Sequence, residues 1–170
     1  SKGPALVYAE VASYQHVGFG DSSSLFDRTA PVIRLKGEPE RGDYLSLLGL
    51  LSSSVAEFWV RHRCHNKRKL EQPFEDYYQR AAERLGAFPL PQRREGEVAR
   101  LADALDARAL ERQRCLPGAV LASSAWSPAN LAEHLNRAQA SYEAATRQLV
   151  ALQEELDWLT YEAYGLIETS

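Results

Sequence analysis

The strongest hydrophobic pattern in the first half of the chain covers residues 44–64. Apolar residues recur there at the i, i+3, i+4 spacing of a helix, with others on both sides of that stripe (Leu47, Leu48, Leu50, Leu51, Val55, Phe58 and Trp59). A helix that is apolar nearly all round belongs in a protein core. The sequence therefore predicts a core helix over residues 44–64, with Asp43 accepting hydrogen bonds from the amide groups of its first turn.

Before this helix the sequence favours short strands. Residues 5–14 are β-branched and aromatic in places, and we predict strands at 5–14, 25–26 and 32–35, with a turn at 16–24. After the helix, residues 74–80 fit either a strand or the start of a helix, since their aromatic side chains have high strand propensity. The first half of the chain is therefore expected to be a small sheet packed on the core helix.

Prolines separate this part of the chain from the rest. Residues 88–91 are Phe-Pro-Leu-Pro, and each proline disfavours helix at the residue before it, so an extended connector is expected. The boundary placed there divides the chain into a domain at residues 1–91, with the strands and the core helix, and a helical hairpin tail at residues 92–170.

The tail has helical periodicity. A helix is predicted at residues 95–114, and the Pro-Gly pair that follows should stop it. Residues 119–125 fit no single element. Ser127 is then expected to cap a last helix over residues 128–163.

An unbroken heptad pattern runs through this last helix. Its apolar residues step by four and three: Leu131, Leu135, Ala138, Tyr142, Ala145, Leu149, Leu152, Leu156, Leu159 and Ala163. The flanking positions are mostly uncharged, unlike those of a dimer held by ion pairs, so an antiparallel hairpin with helix 95–114 is expected. The predicted fold is thus α+β, with a small β-rich N-terminal part packed on a core helix and a long antiparallel helical hairpin after it.

Composition fits an ordinary globular protein of 170 residues, with 45% hydrophobic and 25% charged residues. No stretch approaches the length of a membrane span and no signal peptide is recognisable, so no membrane partner is expected. Cys64 and Cys115 lie far apart, which fits a reducing cytoplasm better than a disulfide framework. The sequence contains no methionine, and we interpret it as a piece of a longer protein.

Charge is distributed unevenly behind the net value of −3. Glu57 is the only acid between Leu45 and Leu70, and basic residues crowd the end of the core helix (Arg61, Arg63, Lys67, Arg68 and Lys69). One or two cations would be enough to complement the negative end of the helix dipole. The surplus of positive charge therefore predicts a negatively charged partner. Beyond Arg147 the chain has no basic residue and several acids.

Other groups of reactive residues have plainer interpretations. The Gly-Phe-Gly-Asp segment at residues 18–21 lacks the third glycine of a dinucleotide loop and is predicted to be a turn. His62, Cys64 and His65 lack the CxxC spacing of zinc sites, and Cys115 or His134 would have to complete the set from far along the chain. No metal site is predicted.

Nucleophilic and acid–base catalysis are not predicted either. Cys64 has histidine neighbours in sequence, but lone cysteines at helix ends are more often inert than nucleophilic. The carboxylates of the last helix fit its solvated or partner-facing side (Glu154, Glu155, Asp157 and Glu162). The sequence therefore indicates no catalytic centre.

Three blocks of sequence carry a further signal. The first joins residues 29–33 (TAPVI), 47–54 (LLGLLSSS) and 64–67 (CHNK); the second joins 74–78 (FEDYY) and 88–91 (FPLP); the third joins 149–158 (LVALQEELDW) and 164–166 (YGL). In order and spacing they resemble the C-terminal region of large bacterial adenine-specific DNA methyltransferases, namely the BREX/Pgl phage-exclusion enzymes and fused restriction-modification proteins. Together the blocks span most of the length of the chain.

This resemblance implies a target-recognition region followed by a helical tail. In such enzymes the methyl-transfer domain binds S-adenosylmethionine and carries an Asn-Pro-Pro-Tyr-type motif. Neither that motif nor the glycine-containing strand for the cofactor is present here. The cofactor is therefore expected in a missing N-terminal methyltransferase domain of the same polypeptide. The chain departs from the family pattern at Arg68 and Lys69, where the family is glycine-rich, and in a shortened turn around Ser22.

The preferred function is non-catalytic recognition of double-stranded DNA within a bacterial, cytoplasmic N6-adenine methyltransferase of restriction-modification or phage defence. Phosphate contacts are expected from Arg61, Arg63, Lys67, Arg68 and Lys69, and base contacts from His65, Asn66, Tyr14, His16 or the loop at residues 22–24. The rival hypothesis is a helical protein-interaction module without DNA contact. In that case the heptad seam and the acidic tail dock a partner subunit, and the basic residues face solvent.

Overall fold

A computed structural model of the protein describes residues 4–20, 29–67, 76–91, 96–123 and 127–167. The chain divides into two compact units. Residues up to 102 and from 156 onward form the first unit, and residues 103–155 form the second. The α+β class is confirmed, since short antiparallel strands in the first half precede a mostly helical second half. The boundary at residue 91 stays a prediction.

The first of two three-stranded sheets contains β1 (Leu6–Tyr8) between β3 (Val17–Phe19) and β4 (Val32–Ile33), all antiparallel. The predicted turn at residues 16–24 is wrong where β3 lies, because β3 pairs along its whole length with β1. The Gly-Phe pair of the supposed turn is therefore extended backbone. The strand predicted at residues 25–26 lies outside the described residues.

The second sheet contains β6 (Tyr78–Gln79) between β2 (Val11–Ala12) and β5 (His65–Asn66). The strand predicted at residues 5–14 is therefore divided between two sheets. Its backbone changes sheet at Ala9 and Glu10, whose N–H groups donate to the carbonyl oxygens of His16 and Thr29. The segment that sequence left as strand or helix contains the strand β6 in its described part, and a short helix, α3 (Ala82–Leu85), follows it.

The continuous core helix predicted at residues 44–64 is two helices, α1 (Arg41–Leu51) and α2 (Ser54–Arg63). Ser53 causes the break: its hydroxyl donates to the Leu50 carbonyl oxygen at 2.7 Å and accepts from the Ala56 N–H, which caps α2. The expected burial is present in α1, where every residue from Tyr44 onward is buried. It is absent from most of α2, where only Ala56 and Val60 are buried and Phe58 is 66% exposed.

Asp43 does not have the role expected of it. Glu40 occupies the N-cap position of α1, and the Asp43 carboxylate accepts a hydrogen bond from the Glu40 N–H at 3.0 Å. The two acids form a reciprocal capping box, so the helix begins three residues earlier than its apolar pattern indicates.

Close backbone packing joins α1 to α4 (Gly96–Arg114). A Cβ atom at Gly49 would lie 2.7 Å from Val98 Cγ1 and 3.1 Å from the Val98 carbonyl oxygen. Only glycine fits there without a shift of α4. Val98, Leu101 and Ala102 on that part of α4 are buried, as its apolar stripe predicts.

The end of the last helix, α6 (Leu131–Ala163), packs on the start of α2 within the first unit. The Ser54 N–H donates to Asp157 Oδ1 at 2.7 Å, and the Ser54 and Tyr161 hydroxyls lie 2.7 Å apart. Leu156 and Thr160 on the same helix are fully buried. The C-terminal segment is therefore part of the unit that contains both sheets.

The second unit contains the remaining parts of α4 and α6 with α5 (Pro117–Ala122). The guanidinium carbon of Arg112 lies 5.7 Å from the centre of the Tyr142 ring, which joins α4 to α6. Every heptad position of α6 is buried or half-buried. α6 begins at Leu131 rather than at residue 128, after a turn in which the Ser127 N–H donates to Asn130 Oδ1.

Among the helices that the structure describes, none has a stretch both long enough and apolar enough to cross a membrane.

Candidate nucleic-acid interface

The basic end of α2 leads directly into the second sheet. Cys64 ends the helix in an extended conformation (φ −92°, ψ 151°), and β5 starts at the next residue. The pairing of β5 with β6 continues one step further, since the Lys67 N–H donates to the Tyr77 carbonyl oxygen at 2.6 Å. Among the described basic residues that sequence assigned to one helix end, Arg61 and Arg63 lie in α2, whereas Lys67 extends the pairing of the edge strand.

This sheet gathers most of the residues predicted to contact DNA. Ala12, Tyr78 and Asn66 are neighbours across its three strands. Exposed side chains around that row include Tyr14, Arg61, His65, Asn66 and Lys67. Arg63 is exposed as well, but it lines a cleft with Trp59 and Arg84. His16 is also exposed, but the contact described for it is its carbonyl oxygen with the Ala9 N–H. Arg68 and Lys69 lie outside the described residues.

Arg61 lies at the centre of this surface. Its guanidinium carbon is 5.8 Å from the centres of both the Tyr14 and Tyr78 rings, so one cation contacts an exposed and a buried aromatic ring. Its Nε donates to Glu57 Oε1 at 2.8 Å, and this hydrogen bond raises the pKa of Arg61. The side chain stays charged and is held in one orientation.

Asn66 is also held in place. Its Nδ2 donates to Asp76 Oδ1 at 3.0 Å, from the segment that leads into β6. Because β5 is an edge strand, the amide lies at the rim of the sheet. An orientated amide at such a rim is suited to hydrogen-bond with a base edge.

Sequence reasoning missed Arg84, which adds positive charge on the other side of α2. Its Nη1 donates to the Arg63 carbonyl oxygen at 2.7 Å, and both side chains are exposed. A shallow cleft of about 220 Å³ lies between these two residues and Trp59. The contact between Arg84 and Arg63 depends on α3 folding back toward α2, and no local sequence pattern predicts that arrangement.

Sequence reasoning also missed the buried residue beneath the interface, Arg80. It is fully buried, and its Nε donates to Gln15 Oε1 at 2.6 Å while its Nη1 donates to the Ala12 carbonyl oxygen at 3.0 Å. Its Nη2 lies 3.9 Å from Glu57 Oε2 and has no hydrogen-bond partner. Burial lowers the pKa of Arg80, and Glu57 opposes that shift.

Glu57 and Gln15 connect this buried cation to the surface. The Gln15 N–H donates to Glu57 Oε2 at 2.9 Å, while the other carboxylate oxygen holds Arg61. Tyr14 therefore stands next to a residue that is fixed through both its backbone and its side chain. The one available signal in the sequence was Glu57, the lone acid of an apolar and basic segment.

A stacked pair of rings flanks Arg61 on α2. The Phe58 and His62 ring centres lie 4.2 Å apart at an angle of 35°. His62 Nδ1 donates to the Phe58 carbonyl oxygen at 2.7 Å, since that oxygen can only accept. Phe58 is 66% exposed and Tyr14 is 64% exposed, values well beyond those of core aromatic residues.

The chemistry of Cys64 is not that of a nucleophile. The residue is buried, and burial raises the pKa of its thiol although Arg80 and Arg84 act in the opposite direction. The thiol is therefore protonated at neutral pH. Within the described ranges, no group of three or more His, Cys, Asp or Glu side chains is arranged to hold a metal ion.

Comparison with known sequences indicates the class of protein to which this chain is similar. Nearly the whole chain is similar to a part of an adenine-specific methyltransferase, which confirms the resemblance of its sequence blocks.

That relative is the adenine-specific methyltransferase PglX of Streptomyces coelicolor. The two sequences are 36% identical over an alignment of 172 residues, which includes 95% of this chain and 14% of PglX. The chain thus spans a small part of the length of the relative that it matches. No family model matches the chain, and no solved structure matches it.

Proposed function

We propose that this chain is the non-catalytic DNA target-recognition portion of an N6-adenine DNA methyltransferase of restriction-modification or phage defence. The similarity to an adenine-specific methyltransferase supports the enzyme class. The observation that carries the DNA-binding role is the interface on the second sheet, where Tyr14, Arg61, Asn66 and Lys67 are all exposed.

The geometry of this interface fits duplex DNA. The element that would meet DNA is the edge strand β5, because β6 is the central strand of the sheet and its Tyr78 is buried. Cations on both sides of β5 would then lie near phosphates, which fix orientation without reading sequence. Asn66 is the residue best placed to read a base, because a carboxamide pairs with adenine through two hydrogen bonds.

The reaction itself belongs to another part of the enzyme in this proposal. A methyltransferase domain on the same polypeptide would bind S-adenosylmethionine and the target adenine. This portion would hold the surrounding duplex while the base leaves the stack.

The test compares variants of the 170-residue chain on duplex DNA at several salt concentrations. Changing Lys67, Arg68 and Lys69 together to Ser should weaken binding about equally on all sequences. It should also flatten the log–log salt slope by about two to three units, because each neutralised phosphate contributes roughly 0.9. Unchanged binding by this variant would place the DNA-binding surface elsewhere.

The matched control is a second triple variant, which changes the net charge by the same amount at residues outside the second sheet and α2. Arg100, Arg114 and Arg137 are exposed residues of α4 and α6, and changing them to Ser should leave the salt slope unaltered. Asn66→Ala should change the discrimination between DNA sequences more than it changes overall affinity. Thermal unfolding of each variant checks that the fold is retained.

A second function is favoured by one specific observation, the exposed apolar residues of the second unit. Leu110 and Leu121 are each 47% exposed, and Val150 is 56% exposed. Large exposed apolar side chains of this kind fit contact with another protein surface. If the chain binds no DNA and instead co-sediments with a separately expressed methyltransferase domain, its function is better described as that of a helical protein-interaction module.

A further inference from the structure

Two large aromatic side chains lie exposed beside Arg61, and the neutralisation of phosphates does not account for them. Tyr14 and Phe58 both belong to the large apolar side chains that the first unit leaves exposed. They flank the same cation: Tyr14 contacts its guanidinium, and Phe58 precedes it by three residues on α2. Flat apolar rings beside a fixed positive charge require an explanation of their own.

Contacts restrict the Phe58 ring itself and the backbone that carries Tyr14. The Phe58 ring stacks on His62, whose own ring is fixed by a hydrogen bond to the Phe58 carbonyl oxygen. Tyr14 precedes Gln15, which Glu57 and Arg80 hold from the backbone and the side chain. Rings that are already ordered lose little conformational entropy when a ligand stacks on them.

The charge around the rings favours an anionic ligand. Glu57 is the nearby acid on α2, and it is engaged by the Gln15 N–H and by Arg61. Asp157, on the neighbouring part of α6, accepts from the Ser54 N–H. Arg61 and His62 are exposed on the same helix, next to the two rings. A surface that alternates cations with exposed rings is the pattern of nucleic-acid sites that hold unstacked bases.

We propose that this surface binds nucleotides whose bases have left the helical stack, with Tyr14 and the Phe58–His62 pair as stacking platforms on either side of Arg61. The proposal rests on the proposed DNA-binding function and narrows its substrate to distorted or locally unpaired DNA. Arg61 would hold the adjacent phosphate while a base lies on a ring. Base–aromatic stacking tolerates any base, so this contact adds affinity for an unpaired site without adding sequence preference.

The test measures the affinity of the full chain for two matched DNA duplexes, one perfectly paired and one with a single unpaired adenine. The wild-type chain should bind the bulged duplex about tenfold more tightly, as expected for one stacked base. With 2-aminopurine at the unpaired position, binding should also quench the fluorescence, because stacking on a ring quenches this base.

Matched variants separate ring stacking from general apolar contact. Phe58→Leu and Tyr14→Leu keep an apolar side chain but lose the ring, and each should reduce the preference for the bulged duplex severalfold. Phe58→Tyr and Tyr14→Phe keep the ring and should retain the preference. Val150→Ala, an exposed apolar position on α6, should leave it unchanged. Both ring positions are exposed, so all five variants should fold.

The outcomes distinguish this inference from the function on which it rests. Equal affinity for the paired and bulged duplexes, with salt-dependent binding intact, overturns the stacking surface but leaves DNA recognition standing. A retained preference in both leucine variants also overturns it, and would make the rings a contact for protein. Failure to bind either duplex overturns DNA recognition and this inference together.

Discussion

Arg80 shows how much of the interface depends on a residue that never reaches the surface. A fully buried guanidinium is costly unless its donors are satisfied. Here two of its nitrogens bond to Gln15 and to the Ala12 carbonyl oxygen, and the third faces Glu57 at 3.9 Å. These contacts join β2, α2 and the segment that carries Tyr14.

Glu57→Gln tests this buried network. The substitution keeps the shape of the side chain but leaves the Arg80 charge without its counter-ion, so the free energy of unfolding should fall by about 1–3 kcal/mol. Urea denaturation followed by circular dichroism measures the change.

Glu97→Gln is the matched control for that experiment. Glu97 pairs with Arg100 at 2.6 Å, but both side chains are more than half exposed, so the loss should stay below about 1 kcal/mol. Equal effects of the two substitutions would mean that the Arg80 network adds no more than a surface ion pair.

Tyr164 gives the first unit a predictable dependence on pH. Burial raises the pKa of Tyr164 to about 12, and its hydroxyl donates to the Pro89 carbonyl oxygen at 2.7 Å. Between the unfolded pKa of about 10 and the folded value, the unfolded state loses a proton that the folded state keeps. The stabilisation by Tyr164 is therefore complete below about pH 10 and is lost as pH rises toward 12.

The measurement compares urea midpoints of the wild-type chain and Tyr164→Phe across that alkaline range. Tyr8 also has a raised pKa, because it is buried, so the wild-type curve alone does not isolate Tyr164. The difference between the two proteins should shrink as pH rises. A constant difference would show that Tyr164 has the same pKa in the folded and unfolded states.

At the scale of elements, local patterns predicted the helices better than their ends. The apolar stripe correctly indicated buried helix over α1, and the heptad correctly marked the inward face of α6. For α2 the predicted burial is wrong, since only Ala56 and Val60 are buried there. The division at Ser53 was missed because hydrophobic periodicity continues across it. The serine that breaks the helix does so by bonding to the backbone, an effect that apolar spacing does not record.

The candidate site was predictable only in its local part. The basic end of α2 is visible in sequence, and so is the exposed Tyr14. Their meeting depends on β2 pairing with β6, two strands of two residues each from distant parts of the chain. Strands that short carry no clear alternation, so neither their register nor the burial of Arg80 follows from sequence pattern.

Gly49→Ala tests the close contact between α1 and α4. Alanine favours helix over glycine by about 1 kcal/mol, but its Cβ would lie 2.7 Å from Val98 Cγ1. The overlap should outweigh the gain in helix propensity and lower the free energy of unfolding by about 1–3 kcal/mol. Thermal or urea unfolding gives the value.

Gly42→Ala is the control in the same helix. Nothing lies within 4 Å of a Cβ at Gly42, so the alanine should be neutral or stabilise α1 by up to about 1 kcal/mol. Opposite signs for the two glycines would establish packing as the reason for Gly49. A stabilising Gly49→Ala would show that α4 can move away from α1 without cost.

At the scale of the whole molecule, basic and acidic residues are concentrated in different parts of the chain. Positive charge is concentrated around β5 and the end of α2, whereas α6 beyond Arg147 carries acids and no basic residue. A net charge of −3 would disfavour DNA binding over the whole surface. In the proposed function, DNA binding is therefore confined to the basic surface around β5 and the end of α2.

The motifs of the sequence predict that the 170-residue chain has no methyltransferase activity of its own. The chain lacks both the Asn-Pro-Pro-Tyr-type motif and a glycine-containing cofactor strand, so it should neither bind S-adenosylmethionine nor methylate DNA. Calorimetric titration with the cofactor should give only heats of dilution, while a known S-adenosylmethionine-dependent adenine methyltransferase in the same buffer gives a saturating curve. A one-to-one isotherm with this chain would show a cofactor site that its sequence does not reveal, and would contradict its assignment as a recognition portion.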